Sequence, residues 1–172
     1  MKFTLLVFRS IVAHTFTYFV FGLVLSSLFH YNQLFQMDII KDFMRGYESP
    51  LITLGPLFQP LRGLIFAIAI WPIRSIIFEK KYGWLVLWNL IVMLGIISTP
   101  AAAPASIEGV IYSKLPLWYH LIGYPELLMQ TLSYSFLIVN WEKHKFNQIF
   151  IITIIVLTLL FLFSIALSFF IR

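Results

Sequence analysis

Apolar runs long enough to cross a bilayer, separated by short polar turns, constrain this chain more than any other feature. The first, from Phe3 to Phe29, is interrupted by Arg9 and His14. A crossing helix needs about 20 mostly apolar residues, and this stretch exceeds that. A secretory leader has a shorter apolar core, roughly 7–15 residues, followed by a small-x-small cleavage site. No such site follows here, so the run reads as a retained first span. The wider composition agrees, since 60% of the 172 residues are hydrophobic and 11% are charged. Soluble domains carry roughly 25% charged residues, and a soluble core of this size has no room for so much apolar surface. The scarcity of alternating polar and apolar segments disfavours an outer-membrane barrel. The expected fold is therefore all-α, a polytopic membrane helical bundle forming a single transmembrane domain over 1–172. Cysteine is absent, which excludes disulfides, thiol nucleophiles and cysteine-held metals.

Five spans are expected, at about 4–29, 60–78, 84–99, 116–141 and 148–171. In the first, Ser10, His14 and Thr17 recur at helical spacing and should face protein rather than lipid. Between spans 1 and 2, Met37, Ile40, Met44 and Tyr47 alternate with Asp38, Lys41, Asp42 and Arg45. That pattern predicts a short amphipathic helix in the interface, or else a solvated loop. Leu51–Phe58 is apolar but too short to cross, and predicts a re-entrant turn or an irregular start to span 2. Span 2 is framed by Pro60 and Pro72, and Pro72 should kink its far end. Gly63 and Ala67 form a small-xxx-small pair suited to close helix packing. Span 3 carries Asn89 as its strongly polar residue. In the loop before span 4, Ser106 is a candidate helix cap. Span 4 is broken by Gly123 and Pro125, after which Glu126, Gln130, Ser133 and Asn140 mark a polar face completed by Leu137. Span 5 is apolar nearly all round and reads as a peripheral, lipid-facing helix.

Charge sets the orientation. Lys2, Arg9, Arg74, Lys80, Lys81, Lys143 and Lys145 fall on one side, against Lys41, Arg45, Lys114 and Arg172 on the other. The excess of basic residues in cytoplasmic turns then places the N-terminus inside and the C-terminus outside, with the short interfacial segments on the outer side. The net charge of +5 is accounted for by this pattern, so no nucleic-acid partner is expected.

Arg62 is left within the apolar run of span 2. A charge at that depth is costly unless paired or drawn back to the headgroups. Glu126 is its natural partner, and Gln59, three residues before Arg62, shares its face. The candidate binding residues are thus Arg62, Gln59, Glu126, Gln130, His120 and Glu108, all in the outer half, with His14 and Asn89 as further intramembrane polar groups. The competing reading is that Arg62 and Glu126 only lock two spans together, or that Arg62 snorkels. For His14 the plain reading is an interhelical hydrogen bond, with a proton relay as the sharper one.

No HExxH helix, Walker loop or GxSxG elbow occurs, so no reaction is named. No cofactor and no metal are expected. The best functional reading is a small transporter-like or accessory membrane subunit with a polar pocket open to the outer half of the bilayer. A second is a membrane-embedded enzyme acting on a lipid or lipid-linked anionic substrate, with Arg62 holding the anion and Glu126 or His120 as acid/base. A third is a purely structural or regulatory membrane protein. The expected partners are the lipid bilayer, an anionic small molecule or lipid, and a second copy or partner membrane subunit. The expected location is a cell membrane of the bacterial cytoplasmic type.

Overall fold

The computed structural model describes residues 2–46 and 48–170, with side chains as far as Leu167. Tyr47, the Ser168 side chain, Ile171 and Arg172 lie outside the described residues. Among those described, all regular structure is helical. Helix α1 (Phe3–Leu28) has 26 residues, a length of about 39 Å at 1.5 Å per residue. Two one-turn helices follow, α2 (Tyr31–Leu34) and α3 (Asp38–Lys41). Next come α4 (Pro50–Leu54), a 3₁₀ turn over Gly55–Phe58, and α5 (Gln59–Ile70). A second 3₁₀ turn over Trp71–Ile73 leads to α6 (Arg74–Glu79). Helix α7 (Gly83–Leu90) continues as a π-helical stretch over Ile91–Ile97. The chain ends with α8 (Ile107–Tyr112), α9 (Leu117–Ile122), α10 (Tyr124–Glu142) and α11 (Gln148–Phe170).

Three helical stretches are long and apolar enough to cross a membrane: Phe3–Leu28, Pro50–Glu79 and Gln148–Leu167. The second begins well before the expected start at 60. Pro56 and Pro60 each sit in the first turn of a helical segment, where the missing N–H costs no hydrogen bond. The chain therefore passes both prolines without leaving the helix, and Leu51–Phe58 is the irregular start of that stretch. The apolar helix Gly83–Ile97 is shorter. Within it the Ser98 amide reaches back five residues to the Met93 carbonyl at 2.9 Å, the widened repeat of a π-helix.

Helix α1 is the axis of the bundle and packs against α5, α10 and α11. Paired residues fix the directions. Ser10 meets Gly63 while His14 meets Gln59, so α5 runs antiparallel to α1. Arg9 meets Glu142 while Ser10 meets Tyr134, so α10 is antiparallel as well. Trp84 packs on Phe136 and Trp88 bonds to Leu128, which sets α7 antiparallel to α10. Phe19 stacks on Phe161, and Val12 clusters with Ile154, so α11 is parallel to α1. Direction thus alternates through α1, α5, α7, α10 and α11. The core between them is built from Leu6, Ala13, Ala67, Ile70, Ile77, Leu87, Tyr134, Ile138 and Val139.

Gly63 allows a close approach of α5 to α1. A Cβ there would lie 2.6 Å from the Ile11 Cα. Gly83 does the same for the α6–α7 turn, where a Cβ would fall 1.6 Å from the Ile77 carbonyl oxygen. Ser10, His14 and Thr17 are all buried, as their spacing predicts.

The expected amphipathic helix is divided into α2 and α3. Met37 between them is extended, and Ile40 rather than Met37 carries the buried contact. Ile40 packs with Leu34 and Tyr119, while Asp38, Lys41, Asp42 and Arg45 stay exposed. Lys41 and Asp38 are hydrogen-bonded at 2.5 Å, which lowers the Asp38 pKa and raises that of Lys41. Helix α11 is largely exposed, with Ile154 and Thr158 buried.

Candidate functional site

A line of polar contacts runs along the inner face of α1. Tyr134 Oη and Ser10 Oγ are 2.7 Å apart, and Ser10 Oγ donates to the Gly63 carbonyl at 2.7 Å. Tyr134 therefore donates to Ser10, and the two hydroxyls bridge α10, α1 and α5. One turn further along α1, His14 Nε2 lies 3.2 Å from Gln59 Oε1. The Gln59 amide nitrogen donates to the Gly55 carbonyl at 3.2 Å, which leaves Oε1 as acceptor and places the His14 proton on Nε2. The His14 ring sits edge-on to Phe66 and Tyr134. This contact ties α1 to α5. Gln59 is buried toward α1, whereas Arg62 is exposed. Gln59 is turned into the α1 interface, while the Arg62 side chain is open and its charge still reaches His14.

Glu126 lies elsewhere, in the first turn of α10. Its Oε2 accepts a 2.5 Å hydrogen bond from the Tyr31 hydroxyl. Burial, and then the bond to Glu126, push the Tyr31 pKa up. The other carboxylate oxygen faces Gly22 of α1, where a Cβ would stand 3.9 Å from Oε1. Glu126, Gly22, Tyr18, Tyr31, Ser26 and Phe35 line a cavity of about 290 Å³, closed further by Phe19, Leu23, Ile52, Pro56 and Ile165. Arg62 is not in its wall and makes no ion pair with Glu126. Among the described residues the ion pairs are Arg9–Glu142 and Lys41–Asp38. A smaller space of about 200 Å³ adjoins Glu126 on the α9 side, between Tyr31, Pro104 and Tyr119.

His120 is occupied in the loop before α9. The Ala105 amide donates to its Nδ1 at 3.3 Å, so Nε2 carries the hydrogen toward Ser113 Oγ at 3.4 Å. It lines neither Glu126 cavity. Ala105 has φ +68°, a left-handed turn that Tyr124 also braces through a 2.8 Å bond to the Ala105 carbonyl. Ser106 caps α8 by accepting from the Gly109 amide at 2.9 Å. Glu108 is half-buried in that same short helix, Gln130 is buried one turn beyond Glu126, and Asn89 is exposed on the outer surface of α7. The six candidate residues thus do not form one constellation. The structure joins Gln59 to His14 and leaves Glu126 in a cavity of its own. Among the described residues, no three His, Asp or Glu side chains are placed to hold a metal ion.

The larger groove, about 460 Å³, lies between α1, α7 and α10. Phe16, Val20, Phe21, Trp84, Leu132, Phe136 and Leu137 line it, and its Thr17 hydroxyl is already bonded to the Ala13 and His14 carbonyls. It offers hydrocarbon contact and the Ser133 hydroxyl, and no charge.

Three partnerships were not legible from spacing: Tyr31–Glu126, Tyr134–Ser10 and Arg9–Glu142. Arg9 is buried two turns into an apolar run, and the ion pair with Glu142 accounts for it. Its depth was the one available signal, since a charge there calls for a partner. Compared with protein-family models, with curated proteins and with solved structures, the chain matches none. Its helices place it among membrane proteins by their length and composition.

Proposed function

We propose that the protein is a five-span membrane protein that acts as a small transporter-like or accessory subunit, holding a ligand in the Glu126 cavity. The carrying observation is a half-buried carboxylate with one oxygen bonded to Tyr31 and the other facing a cavity that has no cation among its described lining residues. Ionisable groups within membrane spans mark ligand or ion pathways more often than plain structure. Five crossings are supported by the alternating directions of α1, α5, α7, α10 and α11. A cytoplasmic N-terminus and an outer C-terminus are supported by the basic end of the bundle. There Arg9 pairs with Glu142, Lys143 bonds to the Lys80 carbonyl, and Arg74 lies in the same polar cleft. The Glu126 cavity then opens in the outer half of a bacterial-type cell membrane. Arg62, exposed at the rim, meets headgroup phosphates by snorkelling. The enzyme reading has less support, because His120 is held by Ala105 and Ser113 away from Glu126.

The test is mass spectrometry of small molecules and lipids that co-purify with wild type, Glu126→Gln and Arg62→Ala. A species carried by wild type and lost from folded Glu126→Gln supports the reading. Identical spectra from all three folded proteins overturn it.

A further inference from the structure

We infer that the Glu126 cavity takes a protonated or quaternary amine. This rests on the proposal that the cavity is a ligand site and adds the ligand's sign. The argument starts from the carboxylate. Tyr31 donates one hydrogen bond to Oε2, and no Lys, Arg or His nitrogen lies within 4.0 Å of either oxygen, since the ion pairs among the described residues are elsewhere. A half-buried carboxylate in an apolar wall is costly unless its charge is balanced. Among the described residues, one neutral donor and no cation bond to it.

The wall beside it is aromatic. Tyr18, Phe19, Tyr31 and Phe35 all line the cavity. Tyr31 and Phe35 are stacked with centroids 5.7 Å apart, and Phe29 extends the stack at 6.4 Å from Tyr31. Ring faces attract ammonium groups, and carboxylates with aromatic walls are a recurrent way to hold quaternary and protonated amines. Gly22 keeps the floor open at Oε1, where a larger side chain would enter the space. A volume of about 290 Å³ suits a headgroup-sized amine rather than a drug-sized molecule. Arg62, whose charge would favour an anion, does not line the cavity; its field reaches the wall residue Tyr18, where that of Glu126 is the larger. An amine of this kind reaches the cavity either as the headgroup of a lipid or as a free solute.

The test is titration calorimetry of the full chain in a nonionic maltoside detergent. Three probes are used: dodecyltrimethylammonium, tetramethylammonium and dodecyl phosphate. Wild type should bind an ammonium probe saturably. Binding of the dodecyl form alone assigns a lipid source, and binding of tetramethylammonium assigns a free amine. Glu126→Gln should weaken that binding by at least about tenfold, a loss of about 1.4 kcal/mol. Gly22→Leu fills the floor while keeping the carboxylate, and should weaken it as much. It decides the matter if Glu126→Gln does not fold, as judged by circular dichroism and elution volume. Saturable binding of dodecyl phosphate alone overturns the cationic assignment and leaves the ligand site standing. Absence of saturable binding by all three probes overturns both, as does equal binding by wild type and both folded variants.

Discussion

At Gly63 a missing methyl group sets the spacing of two helices. The Ser10 hydroxyl reaches the Gly63 carbonyl at 2.7 Å only because no side chain separates α1 from α5. Gly63→Ala should therefore overpack that contact and cost about 1–3 kcal/mol, read as a lower unfolding temperature in detergent. Gly95→Ala is the control, because a Cβ there meets nothing within 4 Å, and within a helical stretch it should melt no lower than wild type. Equal melting of the two variants would remove Gly63 as the determinant of the α1–α5 distance. The small-xxx-small spacing of Gly63 and Ala67 made this contact legible in the sequence, as helical spacing did for the burial of Ser10, His14 and Thr17. The partners were harder to read. His14 meets Gln59 because α1 and α5 are antiparallel at a particular register, and no local pattern encodes the register. Arg62 looked like the focus because it is the charge within span 2, yet the first turn of α5 gives its side chain an exposed path.

Among elements, long and short ones differ in how far the sequence specifies them. Helix α1 and helix α11 were legible because each carries its apolar character over many turns. The stretch over 30–50 was not, since α2 and α3 are single turns held by tertiary contacts of Leu34 and Ile40 with Tyr119. One turn has too few internal hydrogen bonds to persist without such contacts. The π-helical end of α7 likewise had no sequence signal. Helices α1 and α10 are tied at one end by Arg9 and Glu142, with Trp141 6.0 Å from the Arg9 guanidinium carbon. Removing one member of a buried pair leaves the other charge uncompensated, at about 3 kcal/mol or more. Glu142→Gln alone should thus destabilise the protein, and the double variant Arg9→Met/Glu142→Gln should lose less than the sum of the two single losses. A double-mutant cycle on thermal or denaturant unfolding measures the coupling, expected above about 0.5 kcal/mol for residues in contact. Additive losses would mean that the pair does not couple α1 to α10.

Across the whole molecule, the two ends of the bundle differ in chemistry. One gathers Arg9, Arg74, Glu142 and Lys143, and the other holds the Tyr31–Glu126 cavity and the loop pinned by His120. Large apolar side chains such as Leu23, Ile65, Leu94, Ile149 and Phe163 are exposed around the flanks, the arrangement expected of a surface that meets lipid rather than water. Basic turns are retained on the cytoplasmic side of a membrane, so the basic end should face inward and the Glu126 cavity outward. The sequence has no cysteine, so a single introduced thiol reports its own side without background. Lys114 and Lys145 are exposed in turns at opposite ends of the bundle. In intact cells, Lys114→Cys should react with a membrane-impermeant maleimide, and Lys145→Cys should react only after permeabilisation. The opposite pattern would invert the orientation and put the Glu126 cavity on the cytoplasmic side, where an amine ligand would have to come from the cell interior. Labelling of both positions in intact cells would contradict the alternation of α10 across the bilayer and with it the five-span arrangement.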